Sequence, residues 1–293
     1  MRVFVTGATG FVGSAVVQEL LAHGHAVTGL ARNDANVAAL AKAGAKALAG
    51  SLEDLDSLRR GAAQADGVLH LGFIHDFSRF AEVGAIDKAA IEAMGAELEG
   101  SERPLIVTSG VAFLAPGRLA VETDKPRPGL PRVSEATAEA LAARGVRATA
   151  VRLPPTTHGE GDHGFVPTLI NIAREKGVSV YVGDGQNRWP AGHRLDAAKV
   201  YRLGLERGAA DGPYHAIAEQ GVSWKAIAEL IGRKLNLPIK SVTPEEAQAH
   251  FGWMGMFAGM DAPTSSERTQ ALLGWKLEQI ELLEDMERHY FNG

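Results

Sequence analysis

Three glycines at positions 7, 10 and 13, in the run TGATGFVG (residues 6–13), are the residues whose spacing most plainly suits a chemical task. They stand between a short apolar run, residues 2–6, and an amphipathic one. In that setting they allow a tight turn, let the backbone approach a pyrophosphate and bring helix against strand. Amides freed at the helix N-terminus then meet the negative charge, which makes Gly7, Thr9, Gly10, Phe11, Val12 and Gly13 candidate cofactor-binding residues. The next apolar run ends GLARND, with Arg32 and no acid before it. An acid there would bind a ribose 2′-hydroxyl, whereas Arg accommodates a 2′-phosphate, so NADP is favoured over NAD. The alternative is a solvated Arg32, with Asp34 holding the sugar.

Candidates for proton chemistry are fewer. Thr108 and Ser109 end the apolar run LIVTSG and are placed to polarise a carbonyl, Ser109 the better of the two; alternatively both hydroxyls only bond loop backbone. His75 in FIHDF and His158 in THGEGDH carry the side chain most able to exchange protons near neutral pH, although a lone loop histidine is more often structural or solvated. The segment HGEGDH holds ligand types that suit zinc or iron. Its spacing matches no helical ligand pair, and no metal is expected.

The elements that must position these residues follow from periodicity. Short β-branched runs at 2–6, 26–31, 45–49, 67–73, 104–109 and 148–153 alternate with Ala-rich helical patterns at about 10–22, 36–43, 55–63, 85–98 and 134–143. That alternation predicts an α/β fold: a doubly wound parallel (Rossmann) sheet, here with a small, mostly helical C-terminal substrate lobe. Two prolines and a Gly-rich stretch, residues 154–164, read as a crossing between the two. The expected division is a dinucleotide-binding domain over 1–157, with 177–210 returning to it, and a lobe from 158–176 and 211–293. The run FGWMGMF, residues 251–257, reads as lobe core or as the wall of an apolar pocket.

Composition excludes several classes. Among 293 residues, 30 Lys and Arg face 35 Asp and Glu without a basic block, so nucleic acid is not an expected partner. Cysteine is absent, which excludes disulfides and thiol catalysis and makes the cytoplasm the default compartment. No apolar stretch reaches ~18 residues, so no membrane span is expected.

With these motifs in hand, the chain resembles the extended short-chain dehydrogenase/reductases, the group of nucleotide-sugar epimerases and dehydratases. TGATGFVG is similar to the family's TGxxGxxG; the turn Gly50, Ser51, Leu52 with Asp54 resembles its adenine-contacting turn; VLHLGF, with Leu71, Gly72 and Phe73, is similar to the motif beside the cofactor ribose. RLPPTTHGEGD, with Pro154 and Thr156, resembles the segment under the nicotinamide that leads into the substrate lobe. GDGQNRWPAGHRLDAA resembles the stretch where an Arg meets substrate phosphate; Arg188, Trp189 and the earlier Phe165 are the implied substrate contacts, although Trp189 and Pro190 depart from the pattern.

One motif is broken. SEATAEALAARG resembles the family's helix with Ser followed by Lys and preceded by Tyr, but the Tyr and Lys positions hold Pro131 and Glu135. A carboxylate and a proline cannot supply the proton or hold the ribose, and the chain looks like the atypical members that lose the pair. The expectation is an NADP-dependent oxidoreductase acting on a small carbonyl-type substrate through a non-standard proton donor. Alternatives are an inactive NADP-binding redox sensor and an epimerase- or dehydratase-like sugar enzyme. The resemblance also implies a homodimer.

Overall fold

The structure is a computed structural model that describes residues 1–76, 79–126, 129 and 132–291; Pro131 lies outside the described residues. Strand and helix alternate through the first half: β1 (Arg2–Thr6), α1 (Phe11–Ala22), β2 (Ala26–Ala31), α2 (Asp34–Ala43), β3 (Lys46–Ala49), α3 (Leu55–Ala63) and β4 (Gly67–His70). There follow α4 (Phe80–Ala96), β5 (Leu105–Gly110), α5 (Ser134–Ala142), β6 (Ala148–Leu153), β7 (Thr156–His158), α6 (Phe165–Lys176), β8 (Ser179–Val182), β9 (Arg188–His193) and α7 (Arg194–Glu206). The last part holds β10 (Tyr214–His215), β11 (Glu219–Ser223), α8 (Trp224–Leu235), β12 (Ile239–Val242), α9 (Pro244–Phe251), α10 (Gly255–Ala258), α11 (Glu267–Leu273) and α12 (Leu282–His289).

The central sheet has seven strands in the order β10-β6-β5-β4-β1-β2-β3, and every pairing in it is parallel. Parallel strands covered on both faces read as continuous apolar runs, and in β1 Val3, Phe4 and Val5 are all buried. Their side chains alternate between the faces. Phe4 joins the core under α3, α4 and α5, while Val3 and Val5 join the core under α1 and α7. Gly61 lets α3 come down onto the sheet, because a Cβ there would lie 2.4 Å from the Phe4 ring. Truncating Phe4 to Ala would cost about 3–5 kcal/mol through lost burial and cavity.

Two expectations about the second half need correcting. Tyr214 and His215, assigned from sequence to the lobe, form the seventh strand of the central sheet beside Val151 and Arg152 of β6. A strand of two residues has no measurable period, and its partner lies over 60 residues earlier. Conversely, β8 does not return to the central sheet: it pairs with β12, and Val180 packs with Trp224 and Ile227 in the lobe core. Only α7 of that region returns, packing along α1. The lobe core otherwise gathers α6, α8, α9, α10 and α12 around a three-stranded sheet in the order β11-β9-β7. No helix among the described residues is long and apolar enough to cross a membrane.

Candidate functional site: the crevice at the carboxyl ends of the central strands

The turn between β1 and α1 is shaped by close approach. Gly7 has φ +65°, a left-handed conformation, and a Cβ on it would lie 2.6 Å from the Gly72 nitrogen. A Cβ on Gly13 would lie 1.9 Å from the Gly7 oxygen. The N-cap of helix α1 is Gly10, with no capping side chain and no acid in the first turn, so the helix itself does not neutralise its positive end. Thr9 pins the loop to α2 by accepting a bond from the Asn36 side chain at 2.9 Å. The Leu52 side chain lies 3.1 Å from where a Gly72 Cβ would be, so the adenine-side turn and the segment Leu71, Gly72, Phe73 reach the same loop. This cradle fits a dinucleotide pyrophosphate: it is built of glycine where a side chain would fill it, and its helix end lacks a protein anion.

At the ends of β2 and β3 a cleft of about 300 Å³ is lined by Arg32, Asn33, Asp34, Val37, Gly50, Ser51 and Asp54, with Ala31 and Ala49 behind. Arg32 is exposed there and makes no ion pair among the described residues. Asp54 caps α3 by accepting from the Ser57 amide, and the Ser51 hydroxyl accepts from the amides of Glu53 and Asp54. Asp34 stands in the first turn of α2 on the same cleft, so the geometry brings both sugar-end candidates together.

At the other end of the crevice stands a residue that sequence reasoning missed. Arg132 lays its guanidinium over the Phe73 ring, 4.4 Å from the centroid, while Nη2 donates to the Thr108 carbonyl at 2.8 Å and Nε donates to the Ser134 hydroxyl at 3.2 Å. The signal available was a basic residue directly after the position where the family carries its Tyr. Burial pushes the Arg132 pKa down and the Asp87 carboxylate opposes that; the group stays charged. His75 packs edge-on to Phe73, with centroids 5.5 Å apart. Partial burial, then the charges of Arg132 and His163, hold its imidazole below the ordinary range. The expected acid is therefore a neutral imidazole at pH 7, with no extra proton to give. His163 in turn meets the Phe11 ring edge-on at 5.9 Å, and the Arg194 guanidinium lies over the same ring, 4.9 Å from its centroid.

Below the crevice runs a buried polar chain. The Thr6 hydroxyl pairs with His70 Nδ1 at 2.8 Å, His70 Nε2 meets Asp87 at 3.0 Å, and the Ser134 hydroxyl donates to the other Asp87 oxygen at 2.6 Å. Burial works to raise the Asp87 pKa, but the bonds from His70 and Ser134 win and hold it below the usual carboxylate range. The chain ties β1, β4, α4 and the start of α5 together, so the loop bearing Arg132 is anchored rather than free.

Other expected site residues are placed elsewhere or differently. Thr108 is turned from the crevice: its hydroxyl donates to the His70 carbonyl and pairs with Tyr201 at 2.7 Å, because adjacent strand residues face opposite ways. Ser109 is half-buried at the strand end, and its hydroxyl has no hydrogen-bond partner among the described residues. His158 is fully buried, its Nδ1 2.7 Å from Asp285 of α12 and its ring edge-on to His193; it bolts β7 to the lobe and has no open face toward a substrate. Thr156 donates its hydroxyl to the Pro190 carbonyl and, like Pro154, is buried. Arg188 is paired with Asp261 through Nε and Nη2, and Trp189 is fully buried against Trp224. Trp189 is therefore lobe core, whereas the exposed Arg188 guanidinium is held at the lobe surface by Asp261. Phe165 stays half-buried at the start of α6 against Phe257 and Trp253. Among the described residues no cluster of His, Asp and Glu is placed to hold a metal.

A family model described as NAD(P)H-binding matches residues 7–180. The chain belongs to that NAD(P)H-binding family. Uncharacterized protein C2A9.02 of Schizosaccharomyces pombe is 51% identical over 289 residues, covering 98% of both chains. The 4-hydroxy-2-methyl-3-oxo-4-farnesyl-3,4-dihydroquinoline-1-oxide ketoreductase of Stigmatella aurantiaca is 26% identical, over 90% of this chain and 84% of its own. Among solved structures, DesIV, a dTDP-glucose 4,6-dehydratase from Streptomyces venezuelae with NAD bound, superposes with TM-score 0.76 at 20% identity, covering 99% of this chain and 96% of that one. The fold of this NAD(P)H-binding chain is thus that of the extended short-chain dehydrogenase/reductases.

Proposed function

We propose that the chain is an NADP-dependent oxidoreductase, an atypical extended-type reductase that exchanges hydride with a small carbonyl compound without a Tyr-Lys pair. The observation that carries the cofactor choice is Arg32, exposed on the cleft at the ends of β2 and β3 and without an ion-pair partner among the described residues. A 2′-phosphate is a bidentate partner for such a group. A bound nicotinamide supplies the hydride. Hydride chemistry otherwise needs alignment and a hydrogen-bond donor at the carbonyl oxygen, and the Ser109 hydroxyl at the end of β5 is uncommitted for that task. The ketoreductase relative supports a ketone as the electrophile.

A second reading, an NADP-binding redox sensor, is favoured by one observation: the side chain at the lost Lys position is turned away into a buried pair with Arg152. Titration of wild type and Arg32→Asp with NADPH and NADH, followed by turnover of wild type on a panel of ketones and aldehydes, separates the possibilities. The expected result is a loss of about 10-fold or more for NADPH, ~1.4 kcal/mol, with NADH little changed, and measurable ketone reduction. Equal losses for both cofactors would sink the NADP assignment. Tight NADPH binding with no turnover on any carbonyl would favour the sensor.

A further inference from the structure

The carboxyl end of β5 brings together two hydrogen-bond donors that no described residue uses up. Arg132 spends Nε on Ser134 and Nη2 on the Thr108 carbonyl; Nη1 has no partner among the described residues. No carboxylate there forms an ion pair with it, since the two Asp87 oxygens are taken by His70 and Ser134. The Thr108 carbonyl belongs to the peptide that leads into Ser109, so the guanidinium and the uncommitted Ser109 hydroxyl sit at the same strand end. Stacking on Phe73 and the two bonds fix the guanidinium, so little rotamer freedom is left to lose on binding.

Past the end of β5 the chain runs into an apolar wall. Phe113, four residues past Ser109 and held at φ 65°, meets Phe257 of α10 at 5.5 Å; Phe257 meets Phe165 of α6 at 5.1 Å. All three rings are half-buried rather than sealed in the lobe core. The wall starts from the same strand end: Phe113 is three residues past Gly110, the last residue of β5, which also carries Ser109 and the Thr108 carbonyl that Arg132 holds.

We propose that Arg132 and Ser109 form an oxygen-binding subsite. It takes the oxyanion-bearing end of an oxo compound, or an equivalent carboxylate, whose aryl or alkyl part lies on Phe113, Phe165 and Phe257. The chemistry of reduction rests on the oxidoreductase reading above; anion capture by Arg132 does not. A charged donor aimed at an oxygen that gains negative charge is about twice as strong as a neutral one. Comparable donors elsewhere are worth roughly 10²–10³ in rate.

Benzoate is the probe, titrated into the protein with and without saturating NADP and followed by calorimetry, for wild type, Arg132→Gln and Arg132→Lys. The expected result is benzoate binding by wild type, weakened about 10-fold or more in Arg132→Gln and partly kept in Arg132→Lys, with NADPH affinity within about 3-fold throughout. Phe165→Ala should weaken benzoate more than acetate. Should Arg132→Gln fail to fold, Ser109→Ala carries the comparison, with a loss of about 3-fold or more expected. Benzoate binding that is absent in wild type, or equal in wild type and Arg132→Gln, overturns the subsite. Loss of benzoate binding in Arg132→Gln from a protein that binds no NADPH upholds the subsite and overturns the oxidoreductase reading instead.

Discussion

The Glu135 carboxylate closes on the Arg152 guanidinium with both oxygens, Oε2 accepting from Nε at 2.9 Å and Oε1 from Nη2. The residue in the family's Lys position thus faces away from the crevice, into a buried cluster where Arg152 also donates to the carbonyls of Glu122 and Asp124. Arg152 and Glu135 are both buried, so each answers for the other's desolvation. Restoring the family residue by Glu135→Lys should therefore not restore a catalytic pair. It should set two cations together and cost about 3–5 kcal/mol, lowering Tm by roughly 10 °C. A Glu135→Lys protein with unchanged Tm and raised turnover would show that this position still serves the crevice.

Gly13 tests the phosphate cradle. Its missing Cβ would overlap the Gly7 oxygen at 1.9 Å, so Gly13→Ala must push α1 off the turn. Both the approach to the pyrophosphate and the aim of the first amides depend on that contact. NADPH affinity is expected to fall about 100-fold or more, ~2.7 kcal/mol, with the lobe still folded. Undiminished NADPH binding by Gly13→Ala in equilibrium titration would place the cofactor elsewhere.

What could be read from the sequence was local. The glycine turn, its flanking strand and helix, and Arg32 fall within one βαβ unit, where periodicity and motif act over short separations. The remainder depended on partners far along the chain. Glu135 and Arg152 are 17 residues apart, and His158 meets Asp285 from 127 residues away, so a loop histidine that looked like an acid is a buried bolt. The strand of Tyr214 and His215 is defined by its neighbour β6, not by its own pattern. Arg132 likewise takes its place from partners outside its own segment, the Phe73 ring and the Thr108 carbonyl 24 residues earlier.

Acid should loosen the joint around Arg152. His215 Nδ1 lies 2.7 Å from the Ser265 carbonyl, which can only accept, and Nε2 lies 3.0 Å from Arg152 Nη1, which can only donate. The imidazole must be neutral, and burial holds its pKa down to about 4; burial, then the charge of His158, holds His193 to about 4 as well. Unfolded histidine titrates near ~6.5, so between that pH and about 4 the unfolded chain binds more protons and stability rises with pH. The contribution is whole above pH ~6.5 and is lost as pH falls, on the order of 1 kcal/mol per pH unit for each histidine. Thermal melts from pH 8 to 4.5 should show Tm falling steadily below about 6.5. A flat Tm across that range would refute neutral, buried histidines at these positions.

Trp189 and Trp224 stack edge-on in the lobe core, 4.6 Å between centroids, and differ in one respect. Trp224 donates its indole N–H to the Val180 carbonyl at 3.1 Å, whereas the Trp189 N–H is buried with no partner among the described residues. Replacing Trp224 by Phe loses ring volume and leaves that carbonyl without its side-chain donor; replacing Trp189 by Phe loses the same volume but removes an unsatisfied donor. Trp224→Phe should therefore be the more destabilising by about 1–2 kcal/mol in urea melts. Because Trp189 packs inside the lobe, Trp189→Phe should leave NADPH affinity within about 2-fold of wild type. Equal costs for the two variants would mean that the Trp189 N–H is satisfied after all, for which a buried water is the available partner.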